Sequence, residues 1–479
     1  MTEQKKTVSN SAIWSYALTQ SLQTFTIMTP YAYGTLFMTT YLGINMATMG
    51  TILVIAKFVD FIICMSSGAI IESANFKKGK YVPIMELFRW VVAIGAVGQM
   101  TDLNFLPYGV KFTVVAASYI CMHGSMNFLQ TANYGLMAVM AGGNYTDRIA
   151  IAQKNSQISA AVGILRSFGT VPLITFVGKV MNSPAKGYTV VTIAFAVVYI
   201  ACTFWFASNL KGKEAPRDPN APKRIVKLKD MIEALTGNDQ LIVYLIWQTI
   251  SQLGTQIMTL IGIYYWTLVM GGYTTWYSIG MGLTTCSGFV FSLFVPKIGV
   301  KLGKLKSLFI AQYAGWVAHV LRFFLGLKSY YWMTVIGIAS SAVMYLQMGF
   351  GANYVLDIGE YGYYKTGKDY RAVVTAFSSV PMKLSSVIAG AVGPYFLSFI
   401  GFDKFNEANM AGTLDKTSAE FIKFQKTYMA AYCFTPLIGS VLGFLIFKKG
   451  YKITDDKAVF YAKENAAKAA QAAAAKAQA

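Results

Sequence analysis

Apolar residues run without alternation through twelve stretches, separated by short polar gaps. Runs of about 20 apolar residues are what a helix needs to cross roughly 30 Å of hydrocarbon. A membrane barrel would show a period of two, and none is present. The expected spans are 12–41, 46–71, 82–100, 108–140, 151–180, 187–207, 240–270, 274–294, 307–325, 330–356, 373–400 and 428–447. Several exceed the length of a perpendicular crossing, so tilt or extension beyond the bilayer is expected.

The gaps sort by charge. Those after even-numbered spans carry Lys77, Lys78 and Lys80, then Arg148 with Lys154, the run from Lys297 to Lys306, and the run from Lys365 to Arg371. Odd-numbered gaps are nearly empty, and 42–45 and 271–273 carry no charge. Basic gaps lie on the cytoplasmic side of inner or plasma membranes, so both termini are expected in the cytoplasm, as twelve crossings also require. The net charge of +20 therefore reads as topology rather than nucleic-acid binding. The composition agrees, with 55% hydrophobic and 13% charged residues, against about 25% charged in soluble domains. No cleavable signal is expected at the amino terminus. Cys64, Cys121, Cys202, Cys286 and Cys433 lie singly in apolar stretches, so neither a metal site nor a disulfide is expected.

A polar, proline-containing linker at 210–238 divides the spans six and six. The gap after span two ends Phe76-Lys77-Lys78-Gly79-Lys80, and the gap after span eight reads Val300-Lys301-Leu302-Gly303-Lys304. A basic glycine turn in the same place of each half points to a duplicated unit. The expected fold is an all-α membrane protein on the major facilitator plan. Its halves are 1–209 and 239–450, followed by a cytoplasmic tail, helical or frayed, at 451–479. The outer gap at 401–426 is expected to hold a surface helix.

Ionisable groups deep in a span cost about 2.5–3.5 kcal/mol on insertion scales and mark function by default. Lys57 and Asp60 share one face of span two at i and i+3. Lys383 lies about 15 Å into span eleven by helical rise, and Asp60 is its expected partner. Arg166 in span five lines the substrate path or pairs structurally. Glu86 with Arg89, His123, and His319 with Arg322 read more readily as packing groups. Amides and hydroxyls cluster as Gln20, Gln23 and Thr24 in span one, as Asn127, Gln130, Thr131, Asn133 and Tyr134 in span four, and as Gln248, Gln252, Thr255 and Gln256 in span seven. Such groups join helices, and they equally suit a site that hydrogen-bonds a sugar.

Two blocks resemble the glycoside–pentoside–hexuronide:cation symporter family. Ile55-Ala56-Lys57-Phe58-Val59-Asp60, then Gly68 and Gly79-Lys80-Tyr81-Val82-Pro83, is similar to its R-x-x-D-x-x-x-D-P-x-x-G span and G-[KR]-[YF]-x-P turn. The stretch from Asp357 through Glu360 to Gly367, leading to Arg371 and Lys383, is similar to its D-x-x-D-Y-G-E-x-K-T-G-x-R segment and helix-eleven lysine. The resemblance implies twelve helices and sugar uptake driven by proton or sodium. It implies coupling through Asp60, Lys57 and Lys383, and a cytoplasmic gating motif at Gly79, Lys80, Asp357, Glu360 and Arg371. Cys64 and Met65 replace the family's second cation-site aspartate and its proline. Thr24 and Thr131 stand where its sugar-binding aspartates do, and Gly135 where it has tryptophan. These departures leave either protons coupled through Asp60 alone or a coupling that is altered or lost. They weigh against melibiose-type recognition and favour a neutral or anionic solute over a cation.

The expected activity is proton-coupled symport of a sugar, glycoside or hexuronide. The alternative is an uncoupled facilitator, or an exporter, of another small or lipid-like solute. Substrate contacts are expected from Gln20, Gln23, Thr24, Gln130, Thr131, Tyr134, Arg166 and Gln252. No enzymatic activity, organic cofactor or nucleic-acid partner is expected, and the protein is read as a monomer among membrane lipids.

Overall fold

The computed structural model describes residues 7–73, 76, 79–141, 145–214, 228–272, 274–348, 350–368 and 370–478. Lys77, Lys78 and the middle of the expected linker, 215–227, lie outside the described residues. Among the described residues the chain is helical throughout, as an apolar chain without strand periodicity requires.

The helices are α1 (Asn10–Leu36), α2 (Met46–Ser73), α3 (Val82–Gln99), α4 (Tyr108–Ala141), α5 (Tyr145–Val180) and α6 (Pro184–Leu210). After these come α7 (Leu228–Gly237), α8 (Asp239–Ile261), α9 (Thr274–Ser292), α10 (Val295–Leu325), α11 (Tyr330–Met348) and α12 (Gly351–Thr366). The chain closes with α13 (Arg371–Phe377), α14 (Val380–Phe399), α15 (Phe402–Met410), α16 (Ala419–Gly450) and α17 (Asp455–Gln478). Wider π-helical turns at Phe37–Tyr41 and Tyr265–Val269 follow α1 and α8.

Among the described residues, seven helices are long and apolar enough to cross a membrane. They lie in α2, α3, α5, α6, α10, α16 and the stretch 373–399. Helices α1, α4 and α8, which carry the amide and hydroxyl clusters, fall outside that set. Their polar side chains lower the very apolarity by which a span is recognised. Expected span ten is interrupted, since α11 stops at Met348 and α12 restarts at Gly351. The start of span eleven is likewise a separate short helix, α13. The surface helix expected in the gap at 401–426 is α15, and the tail is the long helix α17.

The chain forms two compact units. One comprises residues 1–225, 263–282 and 390–421, and the other 226–262, 283–389 and 422–479. In the first, an apolar core of Ile13, Tyr16, Met85, Val92, Met122, Leu136 and Phe206 joins α1, α3, α4 and α6. Residues 263–282 and 390–421 add polar contacts to it. Thr39 and Tyr264 share a hydroxyl bond of 3.1 Å, the Met46 amide donates to Asp403 at 2.9 Å, and Thr51 meets the Tyr395 hydroxyl at 2.9 Å. In the second unit α8 and α16 approach backbone to backbone. A Cβ on Gly439 would lie 2.8 Å from the Ile250 carbonyl oxygen, and one on Gly443 2.9 Å from that of Trp247. Small residues four apart permit such an approach where dispersion replaces the hydrophobic effect. Some polar groups of this unit form a chain of hydrogen bonds, while the Trp247 indole and Ser251 hydroxyl of α8 are buried without a protein partner. The Trp316 indole donates to Ser440, Ser440 to Gln312, and Gln312 to Gln347.

The two glycine turns share one design. Gly79 has φ +107°, and the Glu214 carboxylate beyond α6 accepts the backbone N–H groups of Lys80, Tyr81 and Val82 at 2.8–2.9 Å. These N–H groups at the start of α3 have no partner within the helix, and the helix dipole favours an anion there. Gly303 has φ +74°, and the Asp455 carboxylate lies against it. Asp455 also pairs with Lys304 at 3.5 Å, while Lys304 pairs with Asp357 as well. In each case the acid comes from the segment just after a long helix, α6 or α16.

A side chain at either glycine would meet both the left-handed backbone and the carboxylate. Gly79→Ala and Gly303→Ala are each expected to destabilise the protein by about 1–3 kcal/mol. Ala at Gly163 or Gly315, which face open space, should not. Thermal unfolding in detergent measures the difference.

Candidate substrate and coupling site

Helix α2 places Lys57 and Asp60 one turn apart. Asp60 is 6% exposed, and its Oδ1 accepts a hydrogen bond from Asn127 Nδ2 on α4 at 2.7 Å. The same amide reaches the His123 carbonyl at 3.3 Å. His123 stacks on Tyr119 with ring centroids 4.1 Å apart, and Tyr31 of α1 lies tilted to it at 6.4 Å. Lys57 is half-buried, with its Cδ 3.2 Å from the Cβ position of Gly390. A buried carboxylate is tolerated where donors replace its water, and Asn127 supplies one.

Two turns along α4, Asn133 Nδ2 donates to Gln20 Oε1 at 2.8 Å and to Gln23 Oε1 at 3.0 Å. Gln23 in turn donates to the Met126 sulfur. The Gln20 Nε2 donor is buried without a protein acceptor, which leaves its two N–H groups to offer. Thr131 donates to the Asn127 carbonyl at 3.0 Å, and Thr24 to that of Gln20. Gln130 and Tyr134 are exposed, Tyr134 by 65%. Arg166 on α5 is half-buried within electrostatic reach of the Tyr33 and Tyr277 hydroxyls.

The sequence-predicted residues therefore divide. Gln20 and Gln23 come together through Asn133, and Thr131 joins them to the Asp60 contact by way of α4. Lys383 on α14 and Gln252 on α8, both half-buried, belong to the second unit. Among the gating residues, Arg371 pairs with Glu360 at 2.9 Å and Asp357 with Lys304. Gly79 and Lys80 form the Glu214-capped turn.

Sequence reasoning left Asn127 and Asn133 among the polar residues of span four without assigning either a partner. It missed Glu214, Asp455 and Asn465 entirely. Asn465 of the tail is 3% exposed and donates to the backbone carbonyl and Oε2 of Glu360, at 2.9 and 2.6 Å. A usable signal existed for two of them, since each is an early acid after α6 or α16. At the start of α8, Asp239 accepts from Lys365 and Tyr361 of α12 at 2.7 and 2.8 Å. Burial alone would raise this carboxyl, but hydrogen bonds from Lys365, Gln240 and Tyr361 hold it well below the usual carboxylate range. Among the described residues, no group of His, Cys, Asp or Glu is placed to hold a metal.

Residues 15–455 match the family described as MFS/sugar transport protein. Similar proteins include an isoprimeverose transporter of Lactiplantibacillus pentosus, 23% identical over 86% of each chain. A putative sulfoquinovose importer of Salmonella typhimurium is 25% identical over 76% of each chain. A glucuronide carrier protein homolog of Escherichia coli is 22% identical over 78% of this chain and 80% of that one. Among solved structures, a mutant of the nucleoside transporter NupG superposes with a TM-score of 0.64 at 12% identity, covering 91% of this chain and all of that one. A bacterial homologue of the iron transporter ferroportin, in an inward-facing state, gives 0.64 at 13% identity over 91% and 98%. These two share the fold. The chain is a multi-pass membrane transporter and not an enzyme. It belongs to the MFS/sugar transport protein family of the major facilitator superfamily, as its resemblance to the glycoside–pentoside–hexuronide:cation symporters implies.

Proposed function

We propose that this protein carries a sugar, glycoside or hexuronide across the inner or plasma membrane together with a proton, by alternating access between two six-helix halves. Both termini lie in the cytoplasm, and the working unit is the monomer. The observation that carries this reading is the buried Asp60–Asn127 bond, set about 9 Å along α4 from the Asn133–Gln20–Gln23 amides. A protonatable group and a cluster of hydroxyl-recognising amides thus share one helix. Sodium takes several oxygen ligands, and Cys64 stands where a second carboxylate would supply them. A single carboxylate suffices for a proton. The names of the relatives support a sugar-like cargo, and those that name a glucuronide and sulfoquinovose also suit an anionic one.

Proton uptake by Asp60 removes its negative charge and the reason for an amide donor to face it. In this mechanism the loaded transporter, with proton and sugar both bound, reorients, and the half-loaded one does not. Lys57 balances the charge of Asp60 one turn away, Lys383 serves the coupling from α14, and Gln20, Gln23 and Asn133 orient sugar hydroxyls. Gln130, Thr131, Tyr134 and Gln252 complete the contact set. The Glu360–Arg371 and Asp357–Lys304 pairs serve the cytoplasmic gate.

In membrane vesicles, Asp60→Asn is expected to abolish accumulation above equilibrium while leaving counterflow within a few-fold of wild type. A panel of sugars and glucuronides identifies the cargo. Cargo-dependent alkalinisation of the medium by wild-type cells separates symport from an uncoupled facilitator, which would produce none. Removing Arg166 tests cargo charge. Arg166→Ala is expected to raise the apparent KM for a glucuronide about tenfold or more, the scale of one lost charge-assisted hydrogen bond. The matching neutral glycoside should change little.

A further inference from the structure

We infer that Asn127 is the positioning residue that sets the proton affinity of Asp60 and reports its protonation state to the sugar-binding part of α4. This rests on the reading of Asp60 as the coupling group and adds to it a residue to which the family resemblance gave no role.

The argument begins with the chemistry of the pair. A carboxylate has only acceptors, so an amide facing it must present its NH2 group. Asn127 does so at 2.7 Å, from a position itself only 6% exposed. A protonated carboxyl gains an O–H that needs an acceptor. Asn127 carries one on the same planar group, and a half-turn of the amide brings Oδ1 where Nδ2 was. Asparagine is therefore a side chain able to satisfy Asp60 in both states, at the cost of reversing itself. Alanine satisfies neither state, and aspartate cannot donate to the charged one.

The reversal has a route outward. Turning the amide also breaks its bond to the His123 carbonyl. One turn further along, Thr131 bonds the Asn127 backbone, and two residues beyond it Asn133 holds Gln20 and Gln23 of α1. Helix α4 thus touches the proton site and the amide cluster through residues six apart. The ionisable groups around Asp60 are Lys57 and Cys64 on α2, Tyr119 and His123 on α4, and Tyr31 on α1. Gly390, at the start of the second half of α14, lies against Lys57. All of these stay unchanged across the variants below, except His123 in one control.

The test needs no cargo. Purified protein in lipid is titrated with pH and followed by infrared spectroscopy, and the carboxyl band missing from Asp60→Asn is assigned to Asp60. Loss of the amide donor destabilises the charged carboxylate, so its midpoint should rise. Asn127→Ala is expected to raise it by about one pH unit, the scale of a lost charge-assisted hydrogen bond. Asn127→Asp, nearly isosteric, should raise it further by placing a second carboxylate alongside, and it serves if the alanine variant does not fold. His123→Gln should leave the Asn127→Ala shift in place. A midpoint unmoved in the Asn127 variants would overturn the role of Asn127, with the coupling reading intact if Asp60→Asn still loses accumulation. Absence of any Asp60-dependent band, with accumulation retained in Asp60→Asn, would overturn the coupling reading itself.

Discussion

A carboxylate held inside a membrane helix must have donors of its own, and that requirement organises the surroundings of Asp60. Asn127 meets it directly, which forces α4 to carry polar side chains through its middle. Once α4 is polar, its amides need partners, and Asn133 finds them in Gln20 and Gln23 of α1. One buried charge thus accounts for much of the polar lining of two helices. It also explains why those helices fall short of the apolarity expected of a lipid-facing span.

The sequence made the helical membrane class legible, because long unalternating apolar runs admit no other solution. It also made Lys57 and Asp60 visible, since charge so deep in a span stands out from its neighbours. The wide apolar stretches were less informative about where helices break. The interruption between Met348 and Gly351 falls at a Gly-Phe-Gly stretch, and the separate helix at Arg371–Phe377 ends just before Ser378-Ser379-Val380-Pro381. These breakers sit inside apolar runs long enough to span, and the run length masks them. Pairing was the least legible property. Asn127 and Asn133 are both amides in one polar cluster, and only the rotation of α4 against α1 and α2 decides which faces which. Glu214 illustrates the same limit, because its three backbone partners are 132–134 residues away in sequence.

The repeated glycine turn has a different status. Its two copies were visible as short similar strings, which convergence alone could produce. The structure adds that each copy has a left-handed glycine closed by an acid from the stretch after a long helix. Two turns that share a left-handed glycine and an acidic closing group, reached from corresponding places, are what descent from one duplicated unit would leave.

The tail follows from the same arrangement. Helix α17 lies on α12, with Asp455 at the Gly303 turn, Tyr461 against Tyr361 and Tyr364, and Asn465 on Glu360. A stretch that looks like a dispensable alanine-rich extension is thus part of the packed body for at least its first half. Anyone attaching a fluorescent reporter or purification handle should join it beyond the last turn of α17, because a junction just after Gly450 would remove the acid that closes the Gly303 turn.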